Sequence, residues 1–173
     1  MLTPTVRRTL APRGKTPIIK SWDRHDRISA ISAVTVSPKR RRLGLYFQLL
    51  PDDHNAHGED TVAFLKHLKR HLPGPLTILW DRSQIHDRSK VVRAYLAGHP
   101  KIVTEKLPGY APETNPDESV WEHTKHGRLA NFTPEDTVEL RSVLIHEFER
   151  LHRKPELLSA FIRHAGVRVR LRC

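Results

Sequence analysis

The sequence predicts an α/β protein with a mixed sheet flanked by helices. Two strand-like runs come first, at 27–36 and 43–50, a β-α-β pattern follows over 76–107, and helical periodicity dominates the later part of the chain. Strands followed by alternation and then by helices fit one sheet with both antiparallel and parallel pairs. With 173 residues, the chain is long enough to form one domain with a substantial core.

The N-terminal part predicts a basic arm and then a hairpin. Residues 1–27 scatter Pro, Gly, Arg and Lys without a period, so we interpret them as an arm and place 28–173 in a single domain. RISAISAVTV (27–36) is rich in β-branched residues and predicts a strand, as does LGLYFQLL (43–50). The segment SPKRRR (37–42) predicts the turn between them.

The central part predicts a helix and then a β-α-β unit. After the polar stretch PDDHNAHGED, five apolar residues share one helical face: Val62, Phe64, Leu65, Leu68 and Leu72. PGP at 73–75 ends this helix. The run LTILW (76–80) is wholly apolar without alternation, which predicts a strand covered on both faces. A helix near 88–97 and the strand KIVTEKL (101–107) complete the unit.

Two more helices are predicted after a proline-rich loop. The first follows Asn115, which is a good N-cap, with Pro116 at the first helical position. The second runs from about Pro134 to Leu151, with apolar residues at spacings of four and three. The tail RVRLR (168–172) alternates, and we interpret it as a frayed basic end rather than as an edge strand.

Positive charge is concentrated at the two ends of the chain. The net charge is +11: residues 1–42 carry a balance of +9, residues 43–162 a balance of −2, and residues 163–173 add four arginines. A solubilising surface would not need such segregation, so nucleic-acid binding is the better interpretation, although charge does not distinguish DNA from RNA. The candidate phosphate contacts lie in the arm and the hairpin turn: Arg7, Arg8, Arg13, Lys15, Arg40, Arg41 and Arg42.

The sequence excludes several other classes of protein. No apolar run is long enough to span a bilayer, and the N-terminus lacks the apolar core of a signal peptide. The single cysteine, Cys173, is the last residue, so an intramolecular disulfide is impossible. We therefore expect a cytoplasmic protein that does not act on a membrane.

Two acidic residues lie where a ligand site is expected. Asp81 directly follows the apolar strand, and α/β folds place their ligands at the carboxyl ends of strands. Glu118 lies in the first turn of the helix that follows Asn115. Each has a structural alternative, because Asp81 could start a turn and Glu118 could complete a capping box with Asn115. Taken alone, Glu118 is better explained by capping. The presence of Asp81 at the end of a strand makes a catalytic role for the two acids the better interpretation.

These two carboxylates could share a divalent cation. Hard oxygen ligands suit Mg²⁺ or Mn²⁺. In a basic protein the natural chemistry is phosphodiester cleavage or transfer, in which two metal ions about 3.5–4 Å apart activate the attacking oxygen and stabilise the leaving one. His67 and His71 could also hold a metal, but they lack a partner carboxylate at a suitable spacing, and we interpret them as a solvated helix face.

Two segments carry a resemblance to a known family. LTILWDRSQIH (76–86) and KLPGYAPETNPDESVWEHTK (106–125) resemble the second and third catalytic blocks of bacterial insertion-sequence transposases of the mariner-like superfamily. PTVRRTLAPRGKTP and WDRHDRISAISAVTVSPKRRRLGLYF resemble the segments that precede those blocks. The resemblance extends along essentially the whole chain in the same order.

The resemblance implies a ribonuclease H-like, or retroviral-integrase-like, DDE endonuclease domain with an Asp-Asp-Glu metal triad. By position, Asp81 matches the second aspartate and Glu118 the closing glutamate, with 36 residues between them. Four residues match positions that support the site: His86, Asn115, Pro116 and Trp121. Asp117 occupies a variable position of the family and is given no metal role. The implied cofactor is Mg²⁺ or Mn²⁺ in a two-metal site.

One part of the family pattern is not found in this sequence. In the family, the first aspartate lies on the opening strand, shortly before the segment that resembles LTPTVRRTLAPRG, and here that segment begins at Leu2. We therefore expect a domain that is truncated at its N-terminus and lacks its first, central strand, which would leave neighbouring strand edges unpaired. An upstream reading-frame product could supply the missing part.

Three functional hypotheses follow. The first is a DNA transposase: water attacks a phosphodiester at the transposon end, and the freed 3′-hydroxyl then attacks target DNA, with double-stranded DNA and a second copy of the chain as partners. The second is a non-catalytic DNA-binding remnant or regulatory fragment of a transposase. The third is a general basic DNA- or RNA-binding protein in which the acids are incidental. We expect family membership to hold and this chain alone to be inactive.

Overall fold

The computed structural model describes residues 7–8, 10–15, 17–18, 27–37 and 42–167. In order, these form β1 (Ile28–Ser37), β2 (Arg42–Asp52), α1 (Gly58–His71), β3 (Leu76–Trp80), α2 (Gln84–Asp87), α3 (Lys90–Ala97), β4 (Ile102–Lys106), a 3₁₀ turn (Pro112–Thr114), α4 (Pro116–His126), α5 (Thr137–His152) and α6 (Pro155–His164). The predicted α/β class with antiparallel and parallel strand pairs is confirmed. The described strands form two sheets of two strands each, β1–β2 and β3–β4.

β1 and β2 form the predicted hairpin, with Val34 opposite Leu45 and Ser32 opposite Phe47. Because side chains alternate along a strand, every second residue of β2 points to the same face. Four of these pack against the helical core: Leu43, Leu45, Phe47 and Leu49. The predicted turn at 37–42 lies largely outside the described residues, which resume at Arg42.

Helices α4, α5 and α6 cover this face of the hairpin. The apolar residues predicted for α5 are Leu140, Leu144, Ile145, Phe148 and Leu151, and all but Ile145 are buried. Ile145 is 38% exposed, because it lies one residue after Leu144 and therefore points about 100° away from the core. The ring of Phe148 stacks on Phe47 at 4.9 Å and meets Trp121 edge-on at 5.0 Å.

A buried ion pair lies within the same layer. Glu147 is 1% exposed, and the Nε and Nη2 atoms of Arg150 donate to its two carboxylate oxygens at 2.7 and 2.6 Å. These hydrogen bonds raise the pKa of Arg150 above its usual value. The pair satisfies a charge that would otherwise be costly to bury.

Helix α6 was not predicted from the sequence. Pro155 occupies the first turn, and Leu158, Phe161 and Ile162 follow at spacings of three and one on a buried face. This is a regular helix start followed by an apolar stripe, so the signal was present. The short helix α2 was also missed, since four residues are too few to show a period.

The second sheet is far less covered than the first. None of the five residues of β3 is buried, and Leu79 is 52% exposed. In β4 only Ile102 is buried, and Val103 is 50% exposed. The prediction that LTILW is covered on both faces is therefore wrong for the described chain. Its only strand neighbour among the described residues is β4, and its side chains alternate between half-buried and exposed, so one of its faces is open.

Helix α1 packs against α3, α2 and β2 through one buried face. Val62, Phe64, Leu65 and Leu68 are buried as predicted, and Leu72 is half-buried. At its N-terminus α1 packs closely on the loop before α3, where a Cβ at Gly58 would overlap the side chain of Ser89. No helix of the described part of the chain is long and apolar enough to cross a membrane.

Candidate functional site

Asp81 begins the segment after β3, at the carboxyl end of the strand. Its carboxylate is 57% exposed, and its Oδ1 accepts a hydrogen bond from the backbone N–H of Ser83 at 2.9 Å. The structural alternative, a turn started by Asp81, is thus realised. It uses one carboxylate oxygen and leaves Oδ2 without a protein partner among the described residues.

His86 holds this aspartate in place. Its Nε2 lies 2.7 Å from Oδ1 and 2.8 Å from the carbonyl oxygen of Asp81, and its ring stacks on Trp80 at 4.6 Å. The His86 side chain is only 12% exposed, so packing on Trp80 fixes the ring. One N–H shared between two oxygens of the same residue restrains both the backbone and the carboxylate. His86 lies within helix α2, so this short helix positions its ring against Asp81.

Glu118 lies in the first turn of α4. Asn115 caps the helix by accepting the N–H of Asp117 at 3.1 Å, and Pro116 occupies the first helical position, as predicted. The capping box is absent: the Glu118 side chain is exposed and has no hydrogen-bond partner in the described part of the chain. Capping therefore explains Asn115 and Pro116 but leaves the Glu118 carboxylate available.

Asp117 points in the opposite direction, towards the hairpin. Its Oδ2 accepts a hydrogen bond from the hydroxyl of Ser32 on β1 at 2.6 Å, and the Nε1 of Trp121 donates to the same hydroxyl oxygen at 3.0 Å. Its Oδ1 is buried without a partner in the described chain. Burial raises the pKa of Asp117 to about 6, opposed by its hydrogen bonds. Sequence reasoning missed this residue, because nothing in the sequence shows which way it faces.

The segments that carry Asp81 and lead to Glu118 leave the same edge of the second sheet. β3 and β4 are parallel, so the segment after Trp80 and the segment after Lys106 both leave from the carboxyl edge of their sheet. The latter runs through the 3₁₀ turn directly into α4. Arg82 ties the two segments together, because its Nε donates to the carbonyl of Leu107 at 3.3 Å. Within the described residues, no group of three His, Cys, Asp or Glu side chains is arranged to hold a metal ion.

The basic residues predicted to contact phosphates differ in their contacts within the protein. Arg7 is docked: its backbone pairs with the side chain of Asn131, and its guanidinium donates to the carbonyl of His126 at 2.6 Å. All the described candidates are exposed, Arg7 included: Arg7, Arg8, Arg13, Lys15 and Arg42. Arg40 and Arg41 lie outside the described residues. Part of the arm therefore lies against the C-terminal end of α4.

Comparisons with known proteins give one family and one group of structures. A sequence profile described as DDE superfamily endonuclease matches residues 1–141. No curated protein matches the chain at a significant level. Three solved structures share its fold: the Mos1 mariner paired end complex with Mn (TM-score 0.58, 14% identity), the Mos1 Strand Transfer Complex (0.57, 15%) and the catalytic domain of Mos1 mariner transposase (0.50, 13%).

The extent of these matches differs between the two partners of each comparison. The match to the paired end complex covers 95% of this chain and 52% of the Mos1 chain, and the match to the Strand Transfer Complex covers 96% and 51%. The match to the isolated catalytic domain covers 82% and 83%. This chain therefore spans about half the length of the Mos1 chains in those two complexes.

Proposed function

The chain belongs to the DDE superfamily of endonucleases, and on that premise we propose that it is the catalytic part of a mariner-like DNA transposase. It would cleave phosphodiester bonds at transposon ends and join the freed 3′-hydroxyl to target DNA. The alternative is a DNA-binding remnant or regulatory fragment of such an enzyme, with the same site but without cleavage.

One observation carries this proposal: Asp81 leaves the carboxyl edge of a parallel strand pair, and the segment that leaves the same edge after β4 leads into the helix that presents the exposed Glu118. Asp81 is held by His86 through two oxygens, and Glu118 is presented by a helix that Asn115 caps. A residue that serves only a turn or a cap needs no such restraint. Exposed carboxylate oxygens without protein partners are what a site for a hard cation requires.

Asp81 and Glu118 would hold the metal, because the chemistry of these donors fits Mg²⁺ or Mn²⁺. Endonucleases of this superfamily use divalent metal ions; when bound, such ions polarise the phosphodiester and stabilise the leaving oxygen. His86 fixes the orientation of Asp81. Asn115 and Pro116 fix the start of α4, and Trp121 anchors that helix to β1 and α5. These residues act on the geometry of the two carboxylates.

The family pattern implies three metal-binding carboxylates, and Asp81 and Glu118 match two of them. We propose that a strand which carries the third pairs with the free edges of β1 and β3. The support is the state of those edges: in the described residues each of the two strands has one strand neighbour, and the apolar residues of β3 remain half-exposed. An upstream reading-frame product is one source of this strand, and a second copy of the chain would place two such sites side by side.

The DNA partner is proposed from the charge of the chain. The exposed cations of the arm and of the hairpin turn would bind phosphates of transposon-end and target duplexes, whatever their sequence. Arg7 would act through its position against α4, since its guanidinium is already engaged by a backbone carbonyl.

The test is metal-dependent nicking of supercoiled DNA. The chain, alone and extended by the coding sequence upstream of Met1, is compared with Asp81→Asn and Glu118→Gln in Mg²⁺ and in Mn²⁺. We expect the extended wild type to nick and both variants to lose at least about 100-fold in rate, because a ligand of the reacting centre is removed. Glu122→Gln, an exposed acid one turn later on α4, is the matched control and should keep full activity.

Three outcomes separate the hypotheses. Nicking that survives in both site variants overturns the assignment of the site. Salt-sensitive DNA binding without nicking by the extended chain favours the remnant. Absence of DNA binding by every form would contradict the transposase proposal as a whole.

A further inference from the structure

One face of α4 turns towards the hairpin and combines apolar with polar contacts. The residues of this face recur at spacings of three and four: Asp117, Val120, Trp121 and Thr124. Val120 and Thr124 are fully buried, and the hydroxyl of Thr124 donates to the carbonyl of Val120 at 2.8 Å. Asp117 therefore lies at the end of a closed helix face, directly before Glu118.

Two residues of this face bind a single hydroxyl group on β1. The Nε1 of Trp121 donates to the hydroxyl oxygen of Ser32 at 3.0 Å, and that oxygen lies 2.6 Å from Oδ2 of Asp117. A serine hydroxyl has one hydrogen, and the Nε1 of tryptophan can only donate. The hydrogen of Ser32 must therefore point at Asp117. The two bonds run in one direction, from α4 to β1 and back to α4.

These bonds fix α4 more tightly than apolar packing does. Asp117 and Trp121 are about one helical turn apart and converge on one oxygen atom, so a rotation of α4 or a shift along its axis breaks at least one of the bonds. The ring of Trp121 also meets Phe148 at 5.0 Å, but apolar contact is less directional than a hydrogen bond. The start of α4 thus has a defined rotation relative to β1.

The rotation of α4 decides where Glu118 points. Consecutive residues of a helix point about 100° apart, so a bond that holds Asp117 against β1 keeps the exposed Glu118 side chain off the hairpin. A glutamate carboxylate lies roughly 7 Å from the axis of its helix, and a rotation of about 15° moves it by roughly 2 Å. That distance is comparable to a whole metal–oxygen bond.

The contact carries a penalty that packing alone does not explain. Oδ1 of Asp117 is buried without a partner in the described chain, and a buried carboxylate oxygen without a donor is unfavourable. An apolar side chain at position 117 would pack on the hairpin without that penalty. A polar contact of this kind is expected where a defined geometry is needed, and the adjacent residue is Glu118.

We propose that Asp117 and Ser32 are positioning residues for Glu118. Their hydrogen bond, together with the bond from Trp121, sets the rotation of α4 at which the Glu118 carboxylate faces the metal ion. Neither Asp117 nor Ser32 touches the metal. The inference rests on the proposed function for the role of Glu118 as a ligand, and it adds a role for Asp117, to which the family pattern assigned none.

The experiment measures the dissociation constant of Mn²⁺ without DNA, from the electron paramagnetic resonance signal of the free ion. Ser32→Ala removes the hydrogen bond but keeps every charge, and it should weaken Mn²⁺ binding about 10-fold, the lower end for groups that orient metal ligands. Asp117→Ala should weaken it at least as much. Asp117→Asn loses the charge but keeps an acceptor for the Ser32 hydroxyl, so its affinity should stay within about 2-fold of the wild type.

A matched control and a double-mutant cycle separate positioning from general effects. Glu122→Ala removes an exposed acid one turn after Glu118 and should leave Mn²⁺ affinity within about 2-fold of the wild type. In the Glu118→Gln chain, Ser32→Ala should change the affinity by less than about 2-fold, because its effect passes through the Glu118 carboxylate. In the extended chain, Ser32→Ala should raise the Mn²⁺ concentration for half-maximal nicking about 10-fold and leave the rate at saturating Mn²⁺ within about 3-fold.

Three results would contradict the inference, and they differ in what else they contradict. Wild-type Mn²⁺ affinity in both Ser32→Ala and Asp117→Ala would overturn the positioning role and leave the carboxylate site standing. An equal loss of affinity with and without the Glu118 carboxylate would also overturn it, because the effect would not pass through Glu118. Unchanged Mn²⁺ affinity in both Asp81→Asn and Glu118→Gln would overturn the proposed metal site and this inference with it.

Discussion

The two halves of the molecule differ in how well they are covered. In the first, β1 and β2 pack against α4, α5 and α6 around a core in which Phe148, Leu151 and Leu158 are fully buried. In the second, the parallel pair β3–β4 buries one residue, Ile102, although a parallel pair is normally enclosed on both faces. Within the described residues, the first half is therefore packed on its helices, whereas the second sheet is only partly covered.

This difference bears directly on the site. Glu118 belongs to the covered half through α4, while Asp81 belongs to the exposed pair. A strand between β1 and β3 would complete both sheets at once and would fix the two carboxylates relative to each other.

The largest expected effect is in the first half. Phe148→Ala removes a ring that contacts Phe47 and Trp121 and should lower the free energy of unfolding by about 3–5 kcal/mol. Leu79→Ala is the matched change in the second half, where the side chain is 52% exposed, and should cost less than about 1 kcal/mol. Urea unfolding of both variants measures the comparison. Equal losses would mean that the halves are equally packed.

The buried ion pair gives the next largest effect. Glu147→Ala leaves Arg150 without its bidentate partner and should cost roughly 3 kcal/mol, at the low end for a buried pair because Arg150 is 25% exposed. Glu149→Ala, an exposed acid two residues later, should change stability by less than about 0.5 kcal/mol. Thermal unfolding at neutral pH distinguishes the two. A small loss of stability in Glu147→Ala would show that the Arg150 guanidinium is hydrated by solvent when its partner is removed.

Asp117 should make the junction of α4 with β1 pH-dependent. Its folded pKa, about 6, lies above the unfolded value of 3.8, so the folded state binds more protons between these values. Stability should therefore fall as pH rises from about 4 to about 6, by roughly 2–3 kcal/mol, and stay low above that. Urea midpoints measured across this range with a chelator present provide the check. Asp117→Asn should flatten the profile; a profile that is unchanged by this substitution would contradict the assignment.

Amide hydrogen exchange gives the smallest and most local comparison. The amides of β3 that are bonded to β4 should open with a free energy at least about 1.4 kcal/mol lower than those of β2, a 10-fold difference in protection. Addition of a completing strand should remove the difference. Equal protection of β2 and β3 in the chain alone would show that the second sheet is stable without a third strand.

Particular residues show how far sequence reasoning went. The hairpin, α1, β3, α3, β4, α4 and α5 were predicted, because apolar residues recur along them and turn residues such as Pro, Gly or Asn lie near many of their ends. The assignment of Asp81 and Glu118 came from spacing and resemblance, and it stays a prediction. The direction of Asp117 and the meeting of His67 and His152 at the Tyr46 ring could not be read from the sequence, since each depends on residues far apart in the chain. The pairing of Glu147 with Arg150 is a spacing of three on one helix, which the sequence does show, but its burial is not.

The sequence by itself determined the order of the elements, the segregation of charge and the family, because all three are properties of neighbouring residues and short motifs. Only the tertiary structure decided which apolar strand is covered, which of two adjacent acids faces solvent, and which histidines meet around one ring. Burial depends on what packs against a residue. An apolar run such as LTILW therefore indicates that burial would be favourable, and only the fold shows how far these side chains are buried.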